Sequence, residues 1–151
     1  MTDNQAAGAN PIRSAVVEDY DDILAVWSAA GLKVSRDGRD GAPAFREQLV
    51  WFADLYLVAC DGDRIVGVVL GTHDLRKGWI NRLAVLPEYR GRGIATALVS
   101  ACDTALRGHG IHITAALVEP PNPASSRVME KLGFRTDVAV TYFRKAAGPE
   151  A

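Results

Sequence analysis

The sequence predicts a single α/β domain in which helices cover both faces of a mostly antiparallel sheet. Three observations support this prediction. The chain has 151 residues, of which 48% are hydrophobic, enough for one buried core. Apolar runs typical of strands occur beside segments with helical spacing, and their order is neither strict strand–helix alternation nor all strand. We find no internal repeat. We therefore expect one domain over residues 12–145, between flexible tails at 1–11 and 146–151.

The first half of the chain predicts a strand, two helices and a hairpin. A short strand is expected at 12–17, and the apolar residues of 20–30 recur at helical spacing. A second helix carries apolar residues on one face. The apolar runs 55–60 and 65–70 are separated by Asp-Gly-Asp, which is a strong hairpin signal. The three residues on the apolar face of the second helix are Phe45, Leu49 and Phe52.

The second half predicts two further strands, two helices and a last strand. A strand at 79–86 is ended by proline, and the helix that follows repeats an apolar residue every four positions. A strand at 111–118, a proline-rich loop and a further helix come next. A loose alternation predicts the last strand at 138–144. The residues that repeat every four positions are Ile94, Leu98, Cys102 and Leu106.

The composition excludes several classes of function. A formal net charge of −1 leaves no electrostatic footprint for nucleic acid or an anionic membrane. No apolar run approaches the ~20 residues that a membrane helix needs, and the N-terminus does not have the pattern of a secretory signal. Cys60 and Cys102 lie on separate predicted elements without ligand spacing, so we expect two reduced core thiols, no metal and a cytoplasmic protein.

One segment, 82–95, has the pattern of an anion site. It runs from a strand through a proline-broken turn and a glycine-rich loop into a helix. A helix N-terminus offers unpaired N–H groups, and Gly91 and Gly93 allow an anion to approach them without a Cβ in the way. Arg90 and Arg92 add cationic donors, so the segment suits a pyrophosphate. The spacing fits neither a dinucleotide fingerprint nor a Walker loop, and an ordinary turn with two glycines is the alternative.

Two motifs carry a resemblance to a known family. Arg90-Gly91-Arg92-Gly93-Ile94-Ala95 resembles the [QR]-x-x-G-x-[GA] signature of the GNAT acetyltransferases. Downstream, Asn122 and the run Met129 to Phe134 resemble the family's second motif, N-x-x-A-x-x-x-Y-x-x-x-G-F. The resemblance extends over nearly the whole chain.

The resemblance implies a sheet of six or seven strands, splayed between the strands at 79–86 and 111–118, with acetyl-CoA in the split. Backbone groups of the first strand would pair with the pantetheine arm, and N–H groups of the glycine loop would hold the pyrophosphate. No metal is implied. The residues expected to bind the cofactor are Leu83, Ala84, Val85, Arg90, Gly91, Arg92, Gly93, Ile94, Ala95 and Asn122.

The sequence departs from the family at two catalytic positions. Met129 stands where the motif has a tyrosine that protonates the departing thiolate, and we expect its side chain to face the cofactor sulfur. The glutamate that some members use as a base falls at Trp79. Glu119 and Tyr142 are the candidate replacements.

The function expected from this resemblance is acetyl transfer from acetyl-CoA to a primary amine by direct attack. The acceptor is expected to be a small-molecule amine, and a protein amine is also possible. Two alternatives stay open: an acyl-CoA-binding sensor without turnover, and a protein lysine or N-terminal acetyltransferase. The chain would act as a monomer or a homodimer.

Overall fold

The residues that the structure describes form five strands and four helices. The structure, a computed structural model, describes residues 10–118, 121–136 and 139–148, so most of the predicted N-terminal tail and half of the predicted C-terminal tail lie outside it. Short 3₁₀ turns precede the first and third helices, at Val17–Asp19 and Pro87–Tyr89. The strands are β1 (Ile12–Ser14), β2 (Tyr56–Asp61), β3 (Arg64–His73), β4 (Gly78–Val85) and β5 (Thr114–Ala116). The helices are α1 (Tyr20–Ala29), α2 (Ala42–Trp51), α3 (Ile94–Gly108) and α4 (Pro123–Lys131).

The strands form one mixed sheet in the order β1-β2-β3-β4-β5. The first four strands are antiparallel to their neighbours, and β5 runs parallel to β4. The expected count of six or seven strands is too high for the residues that the structure describes. No strand forms over 139–148, where Val140, Tyr142 and Phe143 are exposed. The alternation at 138–144 was weak, and a strand also needs a partner, which is not present there.

The hairpin of β2 and β3 confirms the signal at residues 61–63. Gly62 takes the left-handed conformation that the turn requires, with φ of +58°. Val68 and Val69 are both fully buried in β3. Because successive strand residues point to opposite faces, both faces of the sheet are covered there.

Helix α3 packs closely on one face of the sheet because three strand residues beneath it are glycines. A Cβ added at Gly67 would lie 3.0 Å from a Leu98 methyl, and one at Gly78 would lie 2.6 Å from Leu106. At Gly71 it would collide with the Cys102 sulfur. Leu98, Cys102 and Leu106 are fully buried, as the four-residue repeat predicted. Helix α1 packs against β3 and β4 with its own buried face, which carries Ile23, Leu24, Val26 and Trp27.

The sheet opens between β4 and β5. Only the first three residues of β4, Gly78 to Ile80, pair with β5. The rest of β4 continues to Val85 without a partner on that side among the described residues. The predicted splay between these two strands is therefore present.

A β-bulge interrupts β4 inside this open half. Val68 of β3 pairs with Ala84 and Leu70 pairs with Asn81, so Arg82 and Leu83 together face one residue of β3. Arg82 has φ of +53°, a left-handed conformation that is uncommon for a residue with a side chain.

Candidate functional site

A cleft of about 610 Å³ lies beside the open half of β4. Its walls come from the end of β4, the glycine turn, the start of α3, the first turns of α4 and the residues that follow α1. The lining residues are Ala30, Leu32, Leu83, Ala84, Val85, Tyr89, Arg90, Gly91, Gly93, Ile94, Ala95, Thr96, Asn122, Ala124, Ser125, Arg127, Val128 and Lys131. Nine of the ten predicted cofactor residues are among them; the tenth, Arg92, is not.

The glycine turn presents backbone to this cleft. Gly91 and Gly93 have φ of +76° and +79°, and a Cβ added to either would meet no atom within 4 Å. Gly93 is the N-cap of α3, and no described side chain caps the helix there. The first N–H groups of a helix have no partner within the helix, and the space beside Gly91 and Gly93 is open. The partial positive charge of the helix N-terminus favours an anion at this point.

Among the described residues, three cationic side chains line the cleft, and only one of them was predicted. Arg90 is the predicted one. Arg127 and Lys131 were missed, although their spacing of four on α4 places them on one helix face. Arg92 lies outside the lining: its guanidinium donates to the Glu88 carbonyl at 3.1 Å and covers the Tyr89 ring, 4.7 Å from the ring centroid.

Asn122 joins the cleft to the start of α4. Its side-chain oxygen accepts a hydrogen bond from the Ser125 backbone N–H at 3.1 Å, which is the geometry of an N-cap. Asn122 also lines the cleft. The asparagine of the second motif therefore fixes where α4 begins and contributes to the cleft wall.

Met129 packs in the core and is not among the residues that line the cleft. Its side chain is buried with an exposed fraction of 8%, belongs to the hydrophobic core and does not line the cleft. The neighbouring Arg127, Val128 and Lys131 occupy the face of α4 that meets the cleft. An apolar methionine is more stable among core side chains than in an open cleft. The expectation that it faces a cofactor sulfur finds no support in this packing.

Of the two candidate catalytic residues, only Tyr142 lies in the part of the chain that the structure describes. Glu119 lies outside the described residues. Tyr142 is 70% exposed and does not line the cleft. Trp79, at the position of the absent glutamate, sits within the paired part of β4 opposite Ala115. The catalytic roles of Glu119 and Tyr142 stay predictions.

A polar cluster lies behind the β4 bulge, and no pattern in the sequence predicted it. The Arg82 guanidinium donates to the Lys33 carbonyl at 2.9 Å and lies 3.6 Å from the buried Asp40 carboxylate. Burial lowers the pKa of Arg82, and burial raises the pKa of the Tyr56 hydroxyl nearby. The Tyr56 hydroxyl and the Arg82 Nε are both buried without a hydrogen-bond partner in the described part of the chain.

The comparison with family profiles decides what kind of protein this is. The profile described as the acetyltransferase (GNAT) family matches residues 21–134, most of the chain. The chain belongs to this family. An acetyltransferase of Sodalis glossinidius is 30% identical to it over 128 residues, which cover 85% of this chain and 89% of the relative. The protein is thus a GNAT-type N-acetyltransferase.

Solved structures share the fold of this acetyltransferase. AAC(6')-Iy, in complex with the bisubstrate analog CoA-S-monomethyl-acetylneamine, matches with a TM-score of 0.75 and 20% identity over 91% of this chain and 98% of that one. The NatC complex bound to Gag peptide and CoA matches with a TM-score of 0.70 and 20% identity over 83% and 84%. At this level of identity the two structures establish the fold alone.

The acetyltransferase offers neither a metal cluster nor a reactive thiol in its described residues. They contain no group of three or more His, Cys, Asp or Glu side chains that could hold a metal ion. Cys60 and Cys102 are buried, free thiols. Burial raises the pKa of Cys102 to about 12, which disfavours the thiolate, the form that acts as a nucleophile. In the same ranges, no helix has the length and apolar character needed to cross a bilayer.

Proposed function

We propose that this acetyltransferase transfers an acetyl group from acetyl-CoA to a primary amine by direct attack of the neutral amine on the thioester. The observation that carries the proposal is the open half of β4 lying in one cleft with the glycine turn. An extended pantetheine arm would bind along Leu83 to Val85 as an added strand. The site would operate in the cytoplasm, in a monomer or a homodimer.

The groups around the glycine turn, which we take as the phosphate end of the cleft, support this orientation of acetyl-CoA. The N–H groups at the start of α3 would hold the pyrophosphate, since Gly91 and Gly93 leave space in front of them. Arg90, Arg127 and Lys131 line the same cleft and would neutralise the phosphates of the cofactor. Hydrogen bonds from these groups to ionised oxygens are stronger than neutral ones.

The acyl end would lie at the β4 bulge. A backbone N–H at Leu83 to Val85 would polarise the thioester carbonyl and stabilise the oxyanion that forms. The amine nitrogen forms the new bond to the carbonyl carbon, the carbon–sulfur bond breaks, and the amine loses a proton to water or a base. A thiolate with a pKa near 8.5 leaves with little protonation, so catalysis does not require the missing tyrosine. Glu119 and Tyr142 remain the candidate residues for acid–base catalysis.

A screen for thiol release from acetyl-CoA tests the proposal. The purified chain is incubated with small amines, amino acids and peptides with free N-termini or lysines, and the Gly93→Asp variant serves as the control. We expect a small-molecule amine to give turnover that the variant lacks. Turnover confined to peptides would make the protein an acetyltransferase for protein amines. Tight acetyl-CoA binding without turnover on any acceptor would favour the sensor.

A further inference from the structure

The side chain of Trp27 contacts both the backbone and the side chain of Arg82. The indole Nε1–H donates to the Arg82 carbonyl at 3.2 Å. The Arg82 guanidinium lies over the same indole, 4.2 Å from the ring centroid. Trp27 is buried in α1, with an exposed fraction of 3%. A single side chain of α1 therefore contacts both the backbone and the side chain at the bulge of β4.

These contacts between Trp27 and Arg82 matter because the backbone at Arg82 is strained. A left-handed conformation at a residue with a side chain is unfavourable and persists only when its surroundings hold it. Besides Trp27, the Lys33 carbonyl and the Asp40 carboxylate hold the Arg82 guanidinium. Asp40 in turn accepts the Ser35 N–H at 2.8 Å, so it ties the bulge to the loop after α1.

The indole bond also sets the direction of the next N–H group. In a planar trans peptide the carbonyl and the following N–H point in opposite directions. The carbonyl of Arg82 is fixed toward α1 by the Trp27 indole. The N–H of Leu83 belongs to the same peptide unit and must therefore point away from α1. Leu83 lines the cleft.

We propose that Trp27 is a positioning residue that aims the Leu83 N–H at the thioester carbonyl, with the Arg82 guanidinium holding the indole in place. This inference rests on the proposed function, because it takes the bulge as the acyl end of the site. Trp27 itself touches no substrate. Its loss would weaken polarisation of the thioester while leaving the phosphate end of the cleft intact.

Infrared spectroscopy of bound acetyl-CoA carrying a ¹³C-labelled thioester carbonyl tests this directly and needs no acceptor. Trp27→Phe keeps an aromatic ring under Arg82 but removes the N–H donor. Trp51→Phe is the matched control, since Trp51 is 73% exposed on α2. We expect the carbonyl band to shift to lower wavenumber on binding to the wild type and to Trp51→Phe, and to shift clearly less in Trp27→Phe. Calorimetry should show acetyl-CoA affinity changed by less than about threefold.

Once an acceptor is known, kcat should fall at least about tenfold in Trp27→Phe with the KM for acetyl-CoA little changed. An equal carbonyl shift in Trp27→Phe and wild type would overturn the inference. Absence of any shift in the wild type would instead count against the proposed acyl end of the site. If Trp27→Phe does not fold, benzothienylalanine at position 27 keeps the bicyclic ring without the donor, and the same outcomes apply.

Discussion

Arg127 and Lys131 lie one helical turn apart on α4, and both side chains line the same cleft as Gly93. If phosphates occupy this end of the cleft, replacing both residues with alanine should lower acetyl-CoA affinity by about tenfold or more. It should also flatten the salt dependence, which calorimetry at two ionic strengths measures. Arg92→Ala is the control, because Arg92 contacts Glu88 and Tyr89 outside the lining. If the salt dependence is unchanged in the double variant, neither Arg127 nor Lys131 contacts a phosphate of the cofactor.

Gly93→Asp should block the pyrophosphate position. The new carboxylate would project into open space in front of the helix N-terminus and repel a phosphate. We expect acetyl-CoA affinity to fall by well over tenfold, or more than about 1.4 kcal/mol. Gly62→Asp is the control, since Gly62 has a similar positive φ and equally open space in the β2–β3 turn. It should lower the thermal midpoint without lowering affinity. Equal affinity in the wild type and Gly93→Asp would contradict the assignment of the glycine turn.

The variant Met129→Tyr tests whether position 129 faces the cofactor, as the motif alignment implies, or the core. The structure places Met129 in the core, so the larger ring should cost about 1–3 kcal/mol of unfolding free energy and should not raise turnover. Met129→Leu conserves volume and should cost less than about 1.5 kcal/mol. Denaturant unfolding and thiol release measure the two effects. Faster turnover in Met129→Tyr, most visible at low pH, would instead show that position 129 reaches the thioester as the motif implies.

Asp19 should make stability depend on acid. Two hydrogen bonds from Arg13, at 2.6 and 3.0 Å, and one from the Val16 N–H hold the pKa of Asp19 below its usual range. The stabilisation is therefore fully present above the unfolded pKa of about 3.9 and is lost as the pH falls through the lower folded pKa.

Asp19→Asn removes the charge-assisted hydrogen bonds. It should therefore lower the free energy of unfolding by about 1–2 kcal/mol at pH 7. The difference from the wild type should narrow below about pH 4. Denaturant melts across this pH range measure it, with the exposed Asp63→Asn as control. A difference that does not change with pH would mean that the carboxylate charge contributes nothing to the effect.

The elements that local sequence decides could be predicted. The hairpin follows from the turn around Gly62, which has the positive φ that glycine permits. Helix α3 follows from a repeat of apolar residues at every fourth position, and Leu98, Cys102 and Leu106 are all buried. The residues of the glycine turn that line the cleft were predicted for the same reason, because the strand, turn and helix are contiguous in sequence.

Features decided by tertiary contacts could not be predicted. The left-handed backbone of Arg82 arises from contacts with Trp27 and Asp40, which are distant in the sequence. The spacing of Arg127 and Lys131 was visible, but only the packing of α4 shows which of its faces meets the cleft. The same packing turns Met129 inward, whatever the motif alignment suggests.

The glycines beneath α3 have a consequence for binding as well as for packing. Gly71 and Gly78 let the C-terminal half of the helix rest directly on the sheet, through Cys102 and Leu106. A rigid helix of fifteen residues behaves as a lever about 22 Å long. A methyl group inserted under its far end would tilt the near end, where Gly93 sets the height of the free N–H groups. We therefore expect the affinity for acetyl-CoA to depend on Gly71 and Gly78, although neither residue lines the cleft.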